Sequence, residues 1–149
     1  MKTAADIMDP VPLLAAPDES VATLARTLLD RRLEGACVVV EGRLLGVVTT
    51  MDLVFREKNV HLPTFFTFMD AMIPLGMHQA EEELGKIAGL TVREIMSHSP
   101  VTVGPGTDLH DIATLMVEGH LSMLPVVDGD RLVGVVDKRA ILEAAFPRA

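Results

Sequence analysis

Apolar residues recur at helical spacing in two stretches of the chain. Both stretches place them at i, i+3, i+4, i+7 and i+8, which predicts an amphipathic helix with one buried face. The first set is Val21, Leu24, Ala25, Leu28 and Leu29, and the second is Leu109, Ile112, Ala113, Met116 and Val117.

Polar residues and glycines flank both predicted helices. Asp18 or Ser20 is expected to cap the first helix and Thr107 the second, because short polar side chains accept hydrogen bonds from exposed backbone N–H groups. Gly35 and Gly119 are expected to mark the helix exits, where glycine adopts a left-handed conformation with little strain.

Two short apolar runs separated by a turn follow each predicted helix. Glycine at Glu41-Gly42 and within 128–130 predicts a β-hairpin in each case. The runs are apolar almost throughout, so both faces of these strands are expected to be covered. A closing helix is predicted at about 50–58 and again at 138–146. The predicted strands are 36–40, 44–49, 123–127 and 132–136.

These elements occur twice because the chain contains an ungapped internal repeat. Gly46-Val47-Val48 matches Gly134-Val135-Val136, 88 positions later, and the same offset aligns the other elements. The predicted fold class is α+β and sandwich-like, with two copies of one β-α-β-β-α unit. The predicted organisation is repeat one at 1–58, an insert at 59–90 and repeat two at 91–149, with both repeats in one globular module.

The insert has no counterpart in the second repeat. It contains three of the five phenylalanines, at Phe65, Phe66 and Phe68. An aromatic cluster of this kind fits either an oligomer contact or a lid that packs on its own repeat, and the sequence leaves both open.

Composition and charge exclude several functional classes. The chain has 149 residues, a net charge of −8 and a pI near 5.0, which argues against nucleic acid or an anionic membrane as a partner. No apolar stretch reaches the length of a membrane-spanning helix. The lone Cys37 lies in an apolar run and fits a structural thiol in a reducing compartment. A cytoplasmic protein is expected.

The repeated β-α-β-β-α order resembles a tandem pair of cystathionine-β-synthase (CBS) domains. The segment from Gly46 to Leu53 matches the family pattern of Gly, two apolar residues, Ser/Thr, two variable residues, Asp and an apolar residue. The segment from Met123 to Asp128 is similar to the family's Leu-Pro-Val-Val-Asp run. The resemblance covers nearly the whole chain except the insert.

The resemblance implies a regulatory module in which the two repeats are related by a pseudo-two-fold axis, with two clefts between them. Such pairs bind adenosyl ligands, including AMP, ADP, ATP and S-adenosylmethionine, and they form flat homodimers that regulate a partner. It therefore implies no catalysis and no obligatory cofactor, with an adenosyl molecule as regulatory ligand and a protein partner that the sequence does not identify. The competing hypothesis is a dimerisation or protein-interaction module that has no physiological nucleotide.

The resemblance places the main nucleotide site at Thr49 and Asp52. In the family the motif Asp binds the ribose, whose two hydroxyls suit a charged acceptor, and Thr49 can reach a ribose or phosphate oxygen. Thr49-x-x-Asp52 is also a capping box, which is compatible with that role. The expected adenine slot for this site consists of Val11, Leu13, Ala36, Cys37 and Val38.

The second repeat departs from the family pattern. Asp137 replaces the Ser/Thr and Ala140 replaces the ribose-binding Asp, so the second cleft is expected to be degenerate or to hold a different ligand. Asp137 can still cap a helix, although it would repel a phosphate. The expected residues of this second cleft are Thr102, Met123, Leu124, Asp137 and Arg139, and the candidate phosphate donors are Arg31, His120, Lys138 and Arg139.

The sequence contains no recognisable catalytic or metal-binding pattern. The five histidines show no metal-ligand spacing, so no metal site is predicted. Ser97-His98-Ser99 lies outside any nucleophile elbow, and no phosphate-binding loop or dinucleotide fingerprint occurs. The sequence therefore predicts that the protein is not an enzyme.

Overall fold

The structure is a computed structural model that describes residues 2–55 and 89–148. The predictions for the insert, including its three phenylalanines, and for the end of the helix at 50–58 lie outside the described residues. The first repeat contains α1 (Ala4–Ile7), β1 (Leu14–Ala15), α2 (Val21–Arg31), β2 (Gly35–Val40), β3 (Arg43–Thr49) and α3 (Thr50–Phe55). The second contains α4 (Val92–Ile95), β4 (Ser97–His98), α5 (Leu109–Gly119), β5 (Met123–Asp128), β6 (Arg131–Asp137) and α6 (Lys138–Ala145).

The strands form one sheet that crosses from one repeat to the other. Its order is β1-β2-β3-β6-β5, with β4 paired to β3. Both hairpins are antiparallel and β1 runs parallel to β2. The repeats meet where Arg43 pairs with Arg131, which are equivalent positions, so the pseudo-two-fold axis passes between them. The predicted α+β class with two repeats is confirmed.

The helical faces are narrower than the spacing predicts. Val21, Leu24 and Leu28 are buried, whereas Leu29 is 52% exposed and its equivalent Val117 is 74% exposed. The prediction was wrong for these two residues because position i+8 lies at the edge of the stripe that faces the sheet.

The ends of the long helices differ in part from the predictions. Ser20 caps α2, as one of the two alternatives predicted. Asp108, and not Thr107, caps α5 by accepting a hydrogen bond from the N–H of Asp111 at 2.8 Å. Thr107 instead accepts one from the N–H of Gly104.

The helix exits are not at the predicted glycines. Arg32 and His120 adopt the left-handed conformation there, with φ of 53° and 51°. Gly35 lies in β2 and Gly119 is the last residue of α5. The cap N–H of Arg32 reaches carbonyl oxygens of the preceding turn, which offsets the strain of a non-glycine residue.

The first helix of each repeat packs into the hydrophobic core of the other repeat. Ala4 is fully buried in the core that contains Ile112 and Leu124, and its N–H donates to the carbonyl of Thr107 at 2.8 Å. Val92 is likewise buried in the core built on the first repeat, and its N–H donates to the carbonyl of Glu19 at 2.9 Å. This exchange brings the segment that follows α4 against β3 of the first repeat.

Candidate functional site

Two clefts of very different size lie at equivalent positions between the repeats. The larger cleft, of about 450 Å³, is lined by Thr49 and Asp52 with their neighbours Val47 and Met51. Its opposite wall comes from the second repeat, through 97–101, 120–123 and Pro125. The smaller cleft encloses only about 40 Å³, and it is lined by Asp9, Pro12, Leu13, 33–35, Met123, Val135 and Asp137. Most residues of the smaller cleft are the repeat equivalents of residues in the larger one.

Thr49 and Asp52 lie together at the junction of β3 and α3. The N–H of Thr49 donates to Oδ2 of Asp52 at 2.9 Å, and the N–H of Asp52 donates to Oγ1 of Thr49 at 3.3 Å. This reciprocal capping box satisfies backbone groups at the start of the helix and fixes both side chains at the cleft. Oδ1 of Asp52 has no hydrogen bond among the described residues, so the carboxylate retains an acceptor for a ligand.

The apolar wall of this cleft comes from the second repeat. Pro100, Val101, Leu121 and Met123 line it opposite Asp52. An apolar surface facing a small number of fixed polar groups is typical of small-molecule sites. The larger cleft thus has an apolar side suited to a flat ring and a polar side suited to a sugar.

The structure does not bring the predicted adenine slot to Asp52. Ala36, Cys37 and Val38 are at most 1% exposed and lie in the core, where a ligand has no access. Leu13 lines the smaller cleft, and Val11 is 81% exposed on a separate apolar groove. These residues therefore lie apart from the cleft of Asp52, because the motif of one repeat faces segments of the other repeat.

Burial also determines the chemistry of Cys37. It raises the pKa of this thiol to about 12, so the thiol stays protonated near neutral pH. This agrees with the structural role predicted for Cys37.

Only some of the residues predicted for the second cleft line the smaller cleft. Asp137 lines the smaller cleft and caps α6 by accepting from the N–H of Ala140 at 2.8 Å. Met123 lines both clefts. Leu124 is fully buried in the core, and the exposed Thr102 and Arg139 are not among the residues that line this cleft.

Among the predicted phosphate donors, His120 lines the larger cleft. Lys138 pairs with Glu34 at 3.1 Å and Arg139 pairs with Glu143 at 3.3 Å, while Arg31 is exposed at the end of α2. Sequence reasoning missed His98, Ser97, Pro100, Val101, Leu121 and Ser122 as residues of this cleft. The internal repeat could have indicated them, because 97–101 is equivalent to 9–13. Two residues of 9–13, Val11 and Leu13, belong to the predicted adenine slot.

Across residues 2–55 and 89–148, no group of three or more His, Cys, Asp or Glu side chains is arranged to hold a metal ion. Over the same residues, no helix is long and apolar enough to cross a membrane.

The fold and the paired clefts agree with a comparison against known families. The family model of the CBS domain matches residues 4–59 and 92–146. These two matches cover most of the chain, so the protein belongs to the CBS domain family and contains two CBS repeats.

Individual relatives are similar over most of this chain. CBSX2 of Arabidopsis thaliana, a chloroplastic protein, is 28% identical over 152 residues, which cover 97% of this chain and 63% of CBSX2. MJ1426 of Methanocaldococcus jannaschii is 26% identical over 143 residues, which cover 89% of this chain and 85% of MJ1426. The crystal structure of CBSX2 in complex with AMP superposes with a TM-score of 0.72 at 27% identity, covering 97% of this chain and 96% of that chain.

Proposed function

We propose that this protein is a regulatory sensor that binds an adenosyl ligand in the larger cleft and is not an enzyme. The candidate ligands are AMP, ADP, ATP and S-adenosylmethionine. The observation that carries the proposal is the position of Thr49 and Asp52 in a cleft of about 450 Å³, opposite an apolar wall from the second repeat. The AMP complex of CBSX2, a structure of the same fold at 27% identity, supports this choice of ligand class.

The proposed mechanism is a shift between two arrangements of the repeats. The ligand would contact β3 and α3 on one side and 97–101 on the other side. Such a ligand favours whichever arrangement it binds more tightly, and the shift is limited by that difference in affinity. A protein partner that responds to this shift, and a cytoplasmic location, are parts of the same proposal.

A thermal-shift panel tests the proposed ligand class. A ligand that binds only the folded state stabilises it by about 2.7 kcal/mol at a hundredfold excess over its dissociation constant. We expect AMP, ADP, ATP or S-adenosylmethionine to raise the melting temperature by several degrees, with GTP as the control. If none of the four raises it in a folded sample, the alternative of an interaction module without a nucleotide gains support.

We also propose that the protein forms a homodimer. Leu29 and Val117 are exposed at equivalent positions of α2 and α5, and Leu142 and Phe146 are 58% and 77% exposed at the C-terminal end. Of these, Leu29 and Val117 follow the pseudo-symmetry, and exposed apolar side chains placed in this way suit a two-fold interface. Light scattering should give twice the chain mass of 16.1 kDa, and Val117→Lys should lower it toward the monomer. A monomeric wild type at micromolar concentration would contradict this part of the proposal.

A further inference from the structure

The two clefts differ in charge at three equivalent positions. The larger cleft has hydroxyl groups from Thr49, Ser97 and Ser122 among its lining residues. At the equivalent places the smaller cleft has the carboxylates of Asp137, Asp9 and Glu34. Each of these three hydroxyls is therefore matched by an acid at the equivalent position, whereas the fourth hydroxyl residue of the larger cleft, Ser99, is equivalent to Val11.

The smaller cleft is also closed by contacts within the protein. Lys138 forms an ion pair with Glu34 at 3.1 Å, which places a cation of the protein beside these acids. Met123 lies against Gly35, which is its equivalent position in the first repeat. Sδ of Met123 occupies the place where a Cβ atom on residue 35 would lie. These contacts leave about 40 Å³, compared with about 450 Å³ in the larger cleft.

We propose that these substitutions make the chain a one-nucleotide sensor, and the inference rests on the proposed adenosyl function. Ser97 and Ser122, together with Thr49, are the specificity-determining residues that admit a phosphate group to the larger cleft. Hydroxyl groups can donate hydrogen bonds to phosphate oxygens, whereas ionised carboxylates can only accept them. The carboxylates of the smaller cleft exclude the phosphate, because a phosphomonoester itself carries a charge of about −1.5 to −2 at pH 7.

The repeat offers a direct test, because the acid of one cleft can be transferred to the other. Ser122→Glu places in the larger cleft the side chain that the smaller cleft has at Glu34. Thr50 occupies the position equivalent to Lys138, so the introduced carboxylate gains no ammonium partner there. Ser122→Gln has the same size without the charge and is the matched control.

Isothermal titration calorimetry with AMP and with adenosine separates the effect of the introduced charge on the phosphate from the effect of a larger side chain on the fit of the nucleoside. The titrations are run at one pH, because His98 and His120 also line the cleft with Asp52. We expect one AMP per chain in the wild type. Ser122→Glu should weaken AMP at least about tenfold, because a unit charge acts strongly on a phosphate a few ångströms away. Ser122→Gln should lower AMP affinity by at most about threefold, because its amide N–H can still donate to a phosphate oxygen. Ser122→Glu should lower adenosine affinity far less than AMP affinity, because adenosine has no phosphate.

The outcomes distinguish this inference from the proposed function. If Ser122→Glu weakens AMP and adenosine equally, or if the wild type binds two AMP molecules, the inference is overturned while the adenosyl function stands. If the wild type binds neither AMP, adenosine nor the other adenosyl ligands, the proposed function fails as well. Should circular dichroism show that Ser122→Glu is unfolded, Ser97→Asp with Ser97→Asn as control makes the same transfer from Asp9.

Discussion

Replacement of Asp52 by asparagine is expected to weaken the binding of an adenosyl ligand by about tenfold to a hundredfold. A carboxylate can accept a hydrogen bond from each ribose hydroxyl at once, and hydrogen bonds to a charged group contribute about 1.5–3 kcal/mol each. An amide is uncharged and has a single acceptor oxygen, so the ribose and the N–H of Thr49 can no longer each have a charged oxygen of their own. Titration calorimetry on the ligand that gives the largest thermal shift measures the change.

The same substitution also disturbs a helix cap, and the chain contains a matched control for that effect. In α1 the N–H of Thr3 donates to Oδ2 of Asp6 at 2.8 Å, which is the geometry found between Thr49 and Asp52 at 2.9 Å. Asp6 is not among the residues that line the larger cleft. Asp6→Asn should therefore disturb its cap and leave ligand affinity unchanged. Equal affinities of Asp52→Asn and wild type would show that Asp52 acts only as a cap.

Asp6 also provides a pH marker for the capping interaction. Hydrogen bonds from the backbone and side chain of Thr3 lower the pKa of Asp6 below its usual value. A lowered pKa means that the folded state binds the proton less tightly than the unfolded state. Its contribution to stability is therefore present above the unfolded pKa and is lost as the pH falls through the folded pKa.

The fold could be predicted from sequence because its signals are local and appear twice. Each β-hairpin depends on apolar runs around a glycine turn, and the observed strands differ from the predicted bounds by at most one residue. Thr49 and Asp52 also form a local pair, three residues apart, so the motif located them correctly beside one another. For the hairpin strands and for this pair, where neighbours in sequence determine the structure, the prediction was sound.

The opposite wall of the site depends on which repeat packs against which, and local patterns do not encode that. The motif of the first repeat faces 97–101 because α4 is buried in the core of the first repeat, which brings β4 against β3. The left-handed Arg32 and His120, in contrast, depend on local hydrogen bonds. Hydrogen bonds to the preceding turn hold both residues in a conformation for which sequence statistics favour glycine.

The sequence predicted only part of the difference between the two clefts. The loss of the motif acid at Ala140 and the change at Asp137 predicted a degenerate second cleft. Two contacts join residues that are far apart in the chain. They are the ion pair of Lys138 with Glu34 and the approach of Met123 to Gly35. Only the relative placement of the repeats shows that these contacts reduce the second cleft to about 40 Å³.

Replacement of Gly46 by alanine is expected to give the largest loss of stability and also to damage the site. A Cβ atom at Gly46 would overlap the carbonyl oxygen of Ser97 and would lie 3.1 Å from Sδ of Met96. The backbone of β4 cannot move aside without breaking its pairing with β3 at Gly46 and Val47. Overpacking of this kind costs about 3 kcal/mol when backbone must shift. Because β4 leads into the wall of the larger cleft, ligand affinity should fall together with the unfolding midpoint in urea.

Two other glycines separate these effects. Gly134 is the equivalent position, where a Cβ atom would lie 2.8 Å from the carbonyl oxygen of Asp9. Gly134→Ala should destabilise the protein in the same way but spare the ligand, since the segment that it displaces lines the smaller cleft. Gly106 has nothing within 4 Å of the Cβ position, so Gly106→Ala should keep both stability and binding. The contrary result is that Gly134→Ala and Gly46→Ala lose the same amount of ligand affinity. That result would mean that instability alone, and not the position of 97–101, controls ligand affinity.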